Sequence, residues 1–241
     1  STSRGLGDVY KRQTLRFLME NFLRAFASRL QRVYFETVEQ AGHHKRDILV
    51  TRVELARDSL EEAKEQFQTA LDRFSQLTAF DGGSLESTYR QLKVEYDYSK
   101  SRATLVAERI EAIETVAKAL FREWDEELGL YSNRTLRSNS RQKLKSTLQH
   151  YQQLIQAMRK AEAKMEPVLR IFQDQVLYLK HNLNARAIAS LEQELHALSQ
   201  GVSGLIGAME HSIRKANVFV ESMHGVGVRP LPEKSRTLSK D

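Results

Sequence analysis

The chain contains no cysteine, so disulfides, thiolate metal ligation and thiol nucleophiles are excluded within it. Its 241 residues hold only three prolines and eleven glycines. So few helix breakers, among many Ala, Leu, Glu, Lys, Arg and Gln residues, favour an all-helical protein. No apolar run approaches the roughly 20 residues that a membrane-crossing helix requires. A P-loop, GxGxxG, HExxH and GxSxG are all missing, and with them the common nucleotide, zinc-hydrolase and serine-hydrolase signatures. One absence is local. From Leu128 to Ala161 there is no Asp or Glu, against seven Lys and Arg.

The net charge of +6 is unevenly spread. Residues 1–46 carry nine basic and four acidic side chains, and residues 47–127 carry eleven and eighteen. Positive charge therefore collects at the N-terminus and around the acid-free stretch. Such asymmetry points to an anionic partner without saying which.

The strongest pattern is a spacing of three and four. Leu49, Val53, Ala56, Leu60, Ala63, Phe67, Ala70, Phe74 and Leu77 form one run. After Gly82-Gly83 a second runs from Leu85 through Tyr89, Leu92, Tyr96, Ser99, Ala103, Val106, Ile110, Ile113, Ala117 and Leu120 to Trp124. This is a heptad seam, which keeps one helix face turned toward a partner helix. In the first run large and small residues alternate, so a partner backbone can approach over the alanines.

The spacing predicts helix A over residues 47–79, capped by Asp47, and helix B over 85–128, with Phe80–Ser84 as the turn. The polar segment GLYSNRTLRSNS reads as a loop to about Ser138 or Ser140. Helix C follows from Arg141 to His181, with Leu144, Leu148, Tyr151, Ile155, Met158, Met165, Phe172, Val176 and Leu179 on its seam. Pro167 is expected to kink it. Asn182-Leu183-Asn184 ends helix C, with Asn184 capping helix D, whose face carries Ile188, Leu191, Leu195, Leu198, Val202, Leu205 and Met209. Four near-equal helices suit a long antiparallel up-down-up-down helical bundle with coiled-coil heptad seams, an all-α fold. The alternative is a three-helix, crescent-like bundle with one continuous final helix.

Four regions follow. Residues 1–13 share no periodicity with the rest and resemble adapter sequence. Residues 14–46 form a basic amphipathic helix and a bend at Gly42-His43-His44. Residues 47–223 are the bundle, and 224–241 a disordered tail. Within residues 14–35 the apolar stripe of Leu15, Leu18, Phe22, Phe26 and Leu30 leaves Arg16, Arg24, Arg29 and Arg32 off it. That helix suits a membrane interface, packing on the bundle or a second protomer, or the place of a leader segment.

No catalytic, cofactor or metal residues emerge. His43-His44 is an isolated pair with no third ligand nearby. Glu61-Glu62, Glu65 and Asp125-Glu126-Glu127 resemble charged outer faces rather than a desolvated cleft. The better candidate is Arg134, Arg137, Arg141, Lys143 and Lys145, five cations within twelve residues. They suit phosphates of lipid headgroups or nucleic acid, or a solubilising loop opposite Glu123–Glu127.

Three stretches carry a family resemblance: HKRDILVTRVELARDSLEEAKEQF from His44, ALFREWDEEL from Ala119, and RKAEAKMEPVLRIFQDQVLYLKHNLNARAIASL from Arg159. Together they resemble an uncharacterised bacterial family, domain of unknown function 2959, over His44–Met223. The resemblance implies envelope lipoprotein-like proteins with no established activity or catalytic residues, and hence the bacterial cell envelope as the compartment. Tyr34, Glu39, Gly42 and Lys45-Arg46-Asp47 match the family's segment, but no cysteine precedes them to carry a lipid, and residues 14–33 do not read as a signal peptide. An ATPase label borne by some relatives finds no nucleotide-binding loop here. The expectation is a non-enzymatic scaffold or peripheral membrane module, with an anionic membrane surface or a second copy as partner. A nucleic-acid-associated coiled coil or a purely structural oligomer are the alternatives; no cofactor or small-molecule substrate is expected.

Overall fold

The computed structural model describes residues 44–76, 85–182 and 185–224, with side chains for 44–76, 86–182 and 194–224. A compact unit begins at Arg46. All regular structure among the described residues is helical. Helix α1 covers residues 44–76, α2 runs Leu85–Glu127, a short 3-10 turn spans Leu128–Leu130, α3 runs Arg134–His181 and α4 Ala185–His224.

The three-and-four spacing is the buried spacing. From Leu49 to Phe74 every described seam residue of α1 is at most 1% exposed. On α2, Ser99, Val106, Ile110, Ile113, Ala117, Leu120 and Trp124 are buried, while Tyr89, Tyr96 and Ala103 pack at its margin. The helices alternate in direction. Gln66 of α1 bonds Glu95 of α2, while Glu62, one turn earlier, pairs with Arg102, later on α2. Phe121 of α2 meets Tyr151 of α3, and Glu114 meets Arg159. Lys215 of α4 donates to Gln153 of α3, and Gly201 lies against Val168. Arg57 donates to Asn217, joining α1 to α4.

The result is an all-α, up-down-up-down four-helix bundle. α1 and α3 share its centre, where Phe74 and Phe172 meet edge to face with centroids 6.4 Å apart. Among the described residues α2 and α4 do not pack on each other. The alanine row of α1, Ala56, Ala63 and Ala70, is buried, and small side chains there let a neighbouring helix come close.

Several local expectations change. The chain is already helical at residues 44–47, so Asp47 lies inside α1 and does not cap it. The seam of α3 includes Leu154, Ala161, Val168 and Leu169, and Ile155 is only a margin residue. The core face of α4 continues past Met209 through Ile213, Ala216, Phe219, Val220 and Met223. α3 passes through Pro167 as one helix. Pro167 and Ala163, whose carbonyl loses its usual donor, are both solvent-facing, where water can serve that carbonyl.

The chain leaves the helix at Asn182, with φ −132° and ψ 62°. Its backbone N–H turns back to Leu179 O at 3.3 Å, and its side-chain Nδ2 donates to Tyr178 O at 3.0 Å. The final helix is therefore not continuous with α3. The Phe80–Ser84 turn, Leu77, the Asn184 cap, the tail beyond His224 and the 14–35 helix lie outside the described residues, as do the side chains of Ile188 and Leu191.

Candidate functional site

The connection between α2 and α3 is far shorter than a loop reaching Ser138 or Ser140. After Glu127 the 3-10 turn tucks Leu128 into the core at 3% exposure, and Tyr131 is extended. Asn133 then caps α3: its side-chain oxygen accepts from Thr135 N at 2.9 Å and Leu136 N at 3.2 Å. Arg137 N closes the first turn on Asn133 O at 3.0 Å. The expected start at Arg141 is thus seven residues too late. Asn133 is as good a cap as the later serines, and it stands first.

This correction reshapes the cationic cluster. On a helix turning about 100° per residue, Arg134, Arg137, Arg141 and Lys145 fall on one flank within about 80°. Lys143 lies on the other side of the buried stripe. Arg134, Arg141, Lys143 and Lys145 are exposed and Arg137 is half-buried. Arg137 Nη2 donates to Tyr131 O at 2.8 Å, tying the helix to the preceding turn. Among the described residues the other four make no ion pair within 4 Å.

The first turn of α3 contains no acidic residue. Cations there oppose the positive pole of the helix, at a cost of about 0.3–1 kcal/mol each at the surface. An anion placed against Arg134 and Arg137 would relieve that repulsion.

Arg159, further along the same flank, is already engaged. Its Nε donates to Glu114 at 3.1 Å, Nη2 grips the second carboxylate oxygen, and Nη1 reaches Glu162 at 2.7 Å. The Glu114 hydrogen bond, ahead of the opposing effect of burial, raises its already high pKa further. Glu61 pairs with Lys64, Glu62 with Arg102 and Glu126 with Arg122, so these carboxylates serve outer-face ion pairs. Arg16, Arg24, Arg29 and Arg32 lie outside the described residues.

Beneath the cations the site is anchored by Trp124, 5% exposed. Its Nε1–H donates to Ser140 Oγ at 3.0 Å, and the Arg46 guanidinium sits 4.3 Å from the ring centre. Sequence reasoning missed the apolar side chains at this end. Leu130, Tyr131 and Leu136 are 48%, 36% and 53% exposed. The signal was available as three large apolar residues inside a segment otherwise read as polar loop.

Fold and site together define an all-α four-helix protein with a cationic flank at the end where α2 turns into α3. The family model for DUF2959, protein of unknown function, matches residues 34–223, and the chain belongs to this family. No curated protein matches it.

Proposed function

We propose that this protein is a non-enzymatic helical scaffold that works as a peripheral module on an anionic membrane surface of the bacterial cell envelope. One observation carries the reading: the α3 flank of Arg134, Arg141 and Lys145 is exposed and without ion pairs in a 34-residue stretch lacking carboxylates. Juxtaposed Lys and Arg gain about 1 kcal/mol each at an anionic leaflet, and three or more act together. Among the described residues no helix is long and apolar enough to cross a membrane, so contact would come from the surface.

The test is co-sedimentation of the full chain with phosphatidylglycerol-containing and pure phosphatidylcholine vesicles over a salt series. Pelleting with the anionic vesicles only, falling with salt and weakened by Arg134→Glu, Arg141→Glu and Lys145→Glu together, supports it. Absence of pelleting at low salt overturns it.

A further inference from the structure

We infer that the α2–α3 end of the bundle docks end-on into a lipid bilayer, with Leu130, Tyr131 and Leu136 entering the interface while the α3 cations rest on headgroup phosphates. This rests on the membrane reading above and adds orientation and depth to it.

The apolar side chains are the deciding feature. Leu136 continues the stripe of Ser140, Leu144 and Thr147, but it lies one turn beyond the level where Trp124 bonds Ser140. It remains 53% exposed there, although Leu128 on the neighbouring turn is packed into the core. Leu130 closes the 3-10 turn beside it at 48% exposure, and Tyr131 follows. The segment is held in shape. Leu128 is packed underneath, Asn133 caps α3, and Arg137 clasps the Tyr131 carbonyl. Three large apolar groups are thus presented by a braced turn rather than a loose one.

The surroundings select the occupant. The tip is bordered on its α3 side by cations without ion pairs and on its α2 side by the exposed Asp125 and Glu126. The α3 side is therefore the one that matches an anionic bilayer, whose headgroups meet Lys and Arg while the acyl boundary receives leucine and tyrosine. Tyrosine suits that boundary because its ring is apolar and its hydroxyl polar. A nucleic-acid phosphate backbone satisfies the cations equally but has no use for the leucines. An acidic protein partner would need carboxylates and an apolar patch at matching positions, a more specific demand than a bilayer makes.

The chain's lack of cysteine makes the test direct. Leu136→Cys carries an environment-sensitive fluorophore in the full chain. Tyr98→Cys serves as control; Tyr98 is 60% exposed on α2, about 39 Å back along the helix from Trp124. With phosphatidylglycerol vesicles the probe at 136 is expected to shift blue and be quenched by spin labels high on the acyl chain, while the probe at 98 stays aqueous. Leu130→Ser with Leu136→Ser should weaken vesicle binding roughly tenfold or more at constant salt. Both leucines are exposed, so the helical circular dichroism and melting temperature should be kept.

An aqueous probe at 136 on pelleted protein, or wild-type affinity in the serine variant, overturns insertion and leaves the cationic contact standing. A probe at 136 shielded in buffer and indifferent to vesicles assigns the tip to a cover from within the chain, which also overturns it. Binding of duplex DNA instead of vesicles, unaffected by the serines, overturns insertion and membrane contact together.

Discussion

The Arg46 guanidinium lies 4.3 Å from the centre of the Trp124 ring, and the same indole donates to Ser140. One buried side chain thereby joins the N-terminal part of α1, the C-terminal part of α2 and the first turns of α3. It holds the platform on which the cationic flank and the apolar turn stand.

Trp124→Phe keeps most of the apolar area but removes the N–H donor and the larger ring face. It should destabilise by about 1–2 kcal/mol. Urea unfolding followed by circular dichroism reads this, since Trp124 is the single tryptophan. A neutral result would mean that Arg46 and Ser140 contribute nothing through the indole.

Phe67 is fully buried on the α1 seam, between Ala63 and Ala70. Phe67→Ala should cost about 3–5 kcal/mol, because a close-packed core relaxes only partly into the space a fully buried ring leaves. Equilibrium unfolding that moves by less than about 1 kcal/mol contradicts close packing at that layer.

Gly201 and Gly207 predict different responses to an added methyl. At Gly207 a Cβ would meet nothing within 4 Å, whereas at Gly201 it would lie 3.3 Å from Val168 Cγ2. Gly207→Ala should stabilise by about 0.5–1 kcal/mol through lower chain entropy in the unfolded state. Gly201→Ala should gain less, because Val168 must give way. Thermal melts of the two variants settle the order.

Alkaline pH offers a further check. Burial, then the nearby charge of Glu114, holds the Tyr151 phenol above its usual value of 10.0. A pKa raised in the fold means that the unfolded chain loses its proton first. The contribution of Tyr151 is therefore whole below about pH 10 and is lost as pH rises through the folded pKa. Lys64, whose pKa is raised chiefly by its hydrogen bond to Glu61, fades in the same direction. Comparing Tyr151→Phe with wild type isolates the phenol: the variant should lose less stability between about pH 9 and 12.

Helix type, number and direction were legible in the sequence because burial on a helix recurs at its own period. Leu49 to Phe74 and Leu92 to Trp124 state that period with few exceptions. Phase was harder where apolar residues sit side by side. Leu154 and Ile155 are equally acceptable to the pattern, and only the position of the neighbouring helices sends Leu154 inward. The start of α3 failed for a related reason: several Asn and Ser residues can cap a helix, and the choice depends on where the preceding chain delivers the backbone.

The sequence by itself determined a four-helix, all-α chain with an acid-free cationic stretch, since periodicity and composition are local properties. The tertiary structure decided what that stretch is. Capping at Asn133 makes it helix, so Arg134, Arg141 and Lys145 share a flank, while the carboxylates of Glu114 and Glu162 claim Arg159. It also leaves Leu136 largely exposed while Leu128 is buried, since whether an apolar residue is core or surface depends on which neighbours the fold brings to it.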